Sequence, residues 1–294
     1  MYRPALPLFL LSTLGLCWTM TSSSPARGDV AVDKSAAEGA DPRMALIQKM
    51  NTLRIETGDV RPMLNAEDYQ KILAGKMAFK GREVAGTPFK EGTGGLILNV
   101  PAWKLWRAVV DEFHHEEFMP GVSYSDVVRG SGEGRFIYQM FAAPVPFVAV
   151  RHWIVSAHHQ SDLWKKSGGV VWQARFKAIP DMKTAVDKAI ADQKLPAKPA
   201  NEDLTGAVLV VKSTASWTLV EMGPNETLAE YRAFSDPGGS IPASALNTFA
   251  PETAEQLLKA VAKQGAKDGH YGATHPGLTD PLYRPMAPGV APRP

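Results

Sequence analysis

The chain has 294 residues, 45% of them hydrophobic and 21% charged, which suits one or two globular domains. Its 32 Lys and Arg against 30 Asp and Glu leave a formal charge of only +2, without the basic excess of a nucleic-acid-coating protein. A single cysteine excludes an internal disulfide framework and any multi-cysteine zinc or iron–sulfur site.

The N-terminus reads as a secretory signal peptide over residues 1–28. Arg3 supplies the positive end, and residues 5–20 form an apolar run with Leu6, Phe9, Leu10, Leu11 and Leu14. Ser24-Pro25-Ala26 and Ala26-Arg27-Gly28 then supply small residues for cleavage. The run is short for a membrane span of about 20 apolar residues. Leu16 before Cys17 is bulky where a lipoprotein signal needs a small residue. Cleavage after Gly28 removes Arg3, Arg27, Cys17 and no acid, leaving 266 residues with 30 basic and 30 acidic side chains. The mature chain is then expected to be neutral, free of cysteine and dependent on its core alone.

Residues 29–64 are expected to be a flexible leader with one short helix, at 44–53, carrying Leu46, Met50 and Leu53 on one side. A firmer helix is predicted over 65–74. Asn65 is a good cap, Asp68 sits three residues on, and Gly75 can end it. Residues 101–113 make a third helix, with Pro101 at its start and Leu105, Val109 and Phe113 in a stripe.

From about 93 to 235 the hydrophobic period is two. Six segments alternate a greasy face with a more polar one, which describes a large antiparallel sheet. Alternation places Leu98, Phe136, Tyr138, Met140, Trp153, Trp172, Phe176, Trp217, Leu219 and Tyr231 on its inner face, with Arg151 on the same face as Trp153. Residues 180–206 form an insertion too long for a hairpin loop of 2–5 residues. A last helix is predicted over 240–263, with Leu246, Phe249, Leu257 and Val261 in its stripe and Pro251 expected to kink it. Residues 265–294 hold six prolines and five glycines and are expected to form a disordered tail.

Several stretches together resemble the START family, the lipid-transfer domains related to steroidogenic acute regulatory protein. They are residues 101–112, the Phe118-Met119-Pro120-Gly121-Val122 turn, the Pro144-Val145-Pro146 approach to Arg151, and Ser216-Trp217-Thr218-Leu219. Asp236-Pro237-Gly238-Gly239-Ser240-Ile241-Pro242 is the most specific and resembles the bacterial branch. The similarity spans residues 65–264. It implies an α+β helix-grip fold, in which a curved antiparallel sheet wraps a long C-terminal helix around an internal hydrophobic cavity. Where the family often has Arg-Asp at the start of the central strand, this chain has Arg151-His152. The arginine carries over as a buried polar group near the ligand; the aspartate does not.

The expected function is therefore an exported protein that binds a lipid, sterol or quinone-like molecule for transfer or sequestration. The alternatives are a cyclase- or hydrolase-like enzyme in the same cavity and an interaction module with a filled core. The expected ligand contacts are Leu98, Phe136, Tyr138, Met140, Arg151, Trp153, Trp172, Phe176, Trp217, Leu219, Tyr231 and Phe249. Arg151 must find a carboxylate, a carbonyl or a ligand oxygen if it is buried, because an unpaired buried charge costs several kcal/mol; Glu221 and Asp236 are the candidate partners. No catalytic motif, metal site or cofactor is expected. His114-His115-Glu116-Glu117 and His158-His159 are read as solvated or divided between faces. A monomer in the periplasm, touching membrane surfaces transiently and binding no nucleic acid, completes the expectation.

Overall fold

The computed structural model describes residues 41–59, 62–129, 135–142, 148–179, 206–210, 212–239 and 243–267, with a few single positions between them. The expected signal peptide, the leader before residue 41, the tail from 268 and nearly all of the 180–206 insertion lie outside these residues.

The helix α1 (Pro42–Glu56) begins at Asp41, whose carboxylate accepts from the Arg43 backbone N–H at 2.9 Å. It runs longer than the predicted 44–53 and is no leader, since Ile47 and Met50 are buried against the outer face of the sheet. Arg54, also buried, clamps it there through Asp59 at 3.0 Å and Glu230 at 2.8 Å. α2 (Ala66–Leu73) starts on the anticipated capping box. Asp68 N–H donates to Asn65 Oδ1 and Asn65 N–H to Asp68 Oδ2, at 3.0 and 2.8 Å. Gly75, at φ 75°, ends it in a conformation that favours glycine.

Nine strands form one sheet among the described residues: β1 (Ala78–Glu83), β2 (Lys90–Leu98), β3 (Val122–Arg129), β4 (Arg135–Phe141), β5 (Arg151–His159), β6 (Val171–Ala178), β7 (Val208–Leu209), β8 (Lys212–Gly223) and β9 (Glu226–Asp236). Their order is β1-β2-β9-β8-β6-β5-β4-β3, all antiparallel, with the short β7 parallel to the start of β5. β1 and β3 were not legible as strands. β1 carries Gly81 and charges, and the pairing of β3 shifts register at both ends, which breaks its period of two.

Between β2 and β3 lie α3 (Ala102–Val109), a 3-10 turn (Glu112–His114) and the one-turn α4 (His115–Phe118). The short α5 (Ser161–Lys166) joins β5 to β6, and the C-terminal α6 (Ala243–Gly265) runs unbroken through Pro251. α6 packs against α3, β2 and β9. Glycines in β2 make this approach possible. A Cβ on Gly94 would lie 2.6 Å from Met77 Cε and 3.1 Å from Ala254 Cβ on α6.

The sheet is therefore covered on both faces. α1 and α2 cover the outer face around Tyr69, Ile72, Val220 and Leu228. α3 and α6 cover the inner face around Leu96, Leu98, Trp106, Trp172, Trp217 and Leu219. The architecture is α+β, a sheet gripping its C-terminal helix.

Candidate functional site

The inner face is filled at one end only. α3 drives Leu105, Trp106 and Val109, all fully buried, into the space beside β6 and β8. The Trp106 ring stands 5.9 Å from Trp172. Beyond this plug, under the N-terminal half of α6, a cavity of about 420 Å³ opens. Phe79 of β1 and Val122 of β3 both line it, so the two edges of the strand order converge on one space and the sheet must curl around it. The walls are mainly apolar, with Met119, Phe141, Trp153, Tyr231 and Leu257 among them.

Of the residues expected to touch a ligand, Arg151, Trp153 and Tyr231 line this cavity. Leu98, Trp172, Trp217 and Leu219 are on the expected face but are packed into the core that α3 plugs. Phe176 packs beside Ile137, Val155 and Ala157. Phe249 has no described side chain. Phe136, Tyr138 and Met140 are a correction: they face the opposite side of the sheet, clustered with Tyr124 and Ile154. Arg135, Ile137, Gln139 and Phe141 point inward instead, as the pairing of Gln139 with Trp153 requires. Both faces of β4 carry apolar side chains, so alternation alone cannot choose between them.

A polar ladder separates the plug from the cavity. Glu112 and Arg135, both buried, pair at 2.8 Å, and Arg135 Nη2 also donates to His159 Nε2 at 3.0 Å. His115 Nε2 donates to the Val109 carbonyl at 3.1 Å, which leaves Nδ1 to accept from Gln139 Nε2 at 3.2 Å. Gln139 Oε1 then accepts from Trp153 Nε1 at 3.1 Å. A chain of defined donors and acceptors thus runs from the α3–α4 connection to an indole on the cavity wall. Burial holds the His115 imidazole down to about 4 and, together with the neighbouring Arg135 charge, the His159 imidazole down to about 3. The expectation of a solvated helix end at His114–Glu117 is corrected at His115, which is 3% exposed. His159 is buried as well, against the Trp106 ring at 5.0 Å, while His158 faces solvent.

Arg151 is 5% exposed, so it does not reach solvent from the strand end. Its Nη1 donates to the Ala149 carbonyl and its Nε has no partner among the described residues. Neither proposed carboxylate meets it. Asp236 Oδ1 accepts from the Gly238 N–H at 3.2 Å, and Glu221 lies at the far end of β8, opposite Thr227. Desolvation pulls the guanidinium below its usual range. Among the described lining residues the titratable side chains are Lys90, Arg151 and Tyr231, whose hydroxyl burial pushes up to about 12. Tyr138 hydrogen-bonds His152 on the opposite face at 3.2 Å. The arrangement can enclose an apolar body and meet one polar group; it presents no acid–base pair among the described residues.

No family model and no curated protein sequence matches the chain. Solved structures do. A STAR-related lipid transfer protein (fragment 25–204) from Xanthomonas axonopodis is 24% identical, with a TM-score of 0.51, over 69% of this chain and 97% of that one. Human STARD10 is 15% identical, with a TM-score of 0.54, over 82% and 88%. The chain shares the helix-grip fold of these proteins.

Proposed function

We propose that this protein binds one hydrophobic small molecule in the cavity beneath α6 and carries or sequesters it unchanged. The observation that supports the reading most directly is the unfilled half of the inner face. Well-packed interiors leave few voids larger than a water, whereas this one keeps about 420 Å³ lined by aromatic and aliphatic side chains. That is within the roughly 300–1,000 Å³ of small-molecule sites. The likeness in fold to a protein described as a STAR-related lipid transfer protein supports the same reading. Export belongs to the proposal and rests on the apolar run after Arg3 and the small residues at 24–28. The same proposal takes the protein to be a periplasmic monomer that meets membranes only to load and unload.

Native mass spectrometry of the protein purified from its own host, with extraction and lipid analysis, tests the reading. The expected result is one retained apolar molecule per chain, and an N-terminus beginning near residue 29. A chain that retains no lipid and takes none up from vesicles overturns the binding assignment. An intact N-terminus in the cytoplasmic fraction overturns export.

A further inference from the structure

The cavity carries a charge it does not neutralise. Among its described lining residues there is no Asp or Glu, and the cations are Lys90 and Arg151. Lys90 is half exposed and already pairs with Glu83 at 2.9 Å. Arg151 is buried and pairs with no carboxylate among the described residues; one nitrogen, Nη1, is held by the Ala149 carbonyl. The opposite side of the guanidinium is formed by Nε and Nη2, and its Nε is buried with no partner among the described residues. That side is the fork whose two parallel N–H groups match a carboxylate.

The surroundings restrict what can approach. Gly238 and Gly239, at φ 63° and 66°, turn the chain back after β9. A Cβ on Gly239 would lie 3.5 Å from Arg151 Nη2, so backbone closes over the cation. Phe141 pairs with Arg151 across β4 and β5, and its ring stands 6.4 Å from the Trp153 ring. A neutral apolar ligand would seal a desolvated, uncompensated guanidinium, which is strongly unfavourable. A head with two acceptor oxygens on an apolar body removes that penalty.

We propose that the ligand is an amphipathic carboxylic acid, a single acyl chain or a fused-ring acid. Its carboxylate accepts from the Nε and Nη2 side of Arg151, and its apolar body lies along Phe141, Trp153, Tyr231 and Leu257. This rests on the binding function proposed above and names the chemical class of what is bound.

The test uses the full mature protein stripped of co-purified lipid. Calorimetric titration at pH 8 compares decanoate with 1-decanol, and a steroid carboxylate with the steroid alcohol of the same skeleton. In the wild type at least one acid should bind about tenfold or more tightly than its matched alcohol, the margin expected for a desolvated charge-assisted pair. Whichever acid does so identifies the body as chain or ring. Arg151→Met should abolish that preference by weakening the acid and, with the uncompensated charge gone, should bind the alcohol at least as tightly as the wild type does, and Arg151→Lys should retain part of it. Equal affinity of the wild type for acid and alcohol in both pairs overturns the inference while leaving hydrophobic ligand binding intact. Binding of none of the four overturns the binding reading itself. The wild-type comparison decides the matter even if Arg151→Met does not fold.

Discussion

His115 is a neutral imidazole by construction. It donates through Nε2 to a carbonyl and accepts through Nδ1 from Gln139, so a second proton has no acceptor waiting. Asp111 and Arg135 face it with opposing effects, and burial dominates. The folded state therefore resists protonation down to about 4, whereas the unfolded chain protonates near 6.5. Between these values the unfolded state binds more protons, and stability falls as pH falls. Denaturant titrations should show the loss beginning below about pH 6.5, ahead of the carboxylates, whose losses start at their lower unfolded values. His115→Gln should remove about 2 kcal/mol of the drop between roughly pH 6.5 and 5. An unchanged slope in that variant would show that His115 does not carry it. Protonation of the folded protein also breaks the Gln139 contact that orients Trp153, so its indole fluorescence should shift near the folded value of about 4. None of this was legible from adjacent histidines and glutamates in the chain, because their partners, Gln139 and Arg135, come from a distant strand.

At the level of elements, the contact between α3 and α6 decides which part of the inner face is filled. It depends on Gly265, at the end of α6, where a Cβ would lie 3.0 Å from the Lys104 carbonyl oxygen and 3.3 Å from the Leu105 nitrogen. These are backbone atoms of a helix and cannot swing aside as a side chain can. Gly265→Ala should push the helices apart, lower stability by about 1–3 kcal/mol in urea unfolding, and speed hydrogen exchange across both. A neutral outcome would mean that the helix ends give way freely. Helix starts were readable from local chemistry, as at Asn65, since a cap is made by residues within one turn. The facing of β4 was not. Phe136, Tyr138 and Met140 are as apolar as an inward face should be, but that side of the sheet buries its own cluster. Only the pairing of Gln139 with Trp153 and of Phe141 with Arg151 reveals that the other set looks inward.

For the whole molecule, an unfilled cavity implies a folded state that ligand should strengthen. At about one hundred times the dissociation constant, a ligand adds about 2.7 kcal/mol. A domain of roughly 150–250 residues gains about 2–4 °C for each of these. The ligand-saturated protein should therefore melt about 5–10 °C above the stripped protein by scanning calorimetry, and an unchanged Tm would argue that the cavity stays empty. The sequence by itself determined the α+β class, the gripping sheet and long last helix, and the presence of Arg151, Trp153 and Tyr231 on one face. These follow from periodicity and short motifs, which are local. Tertiary structure alone decided that α3 fills the space beside Trp172 and Trp217, that the remaining volume lies under α6, and that Arg151 stands there without a described carboxylate. The reason is that a void and an unpaired charge are properties of what is missing around a residue, and only the packing of distant segments defines that.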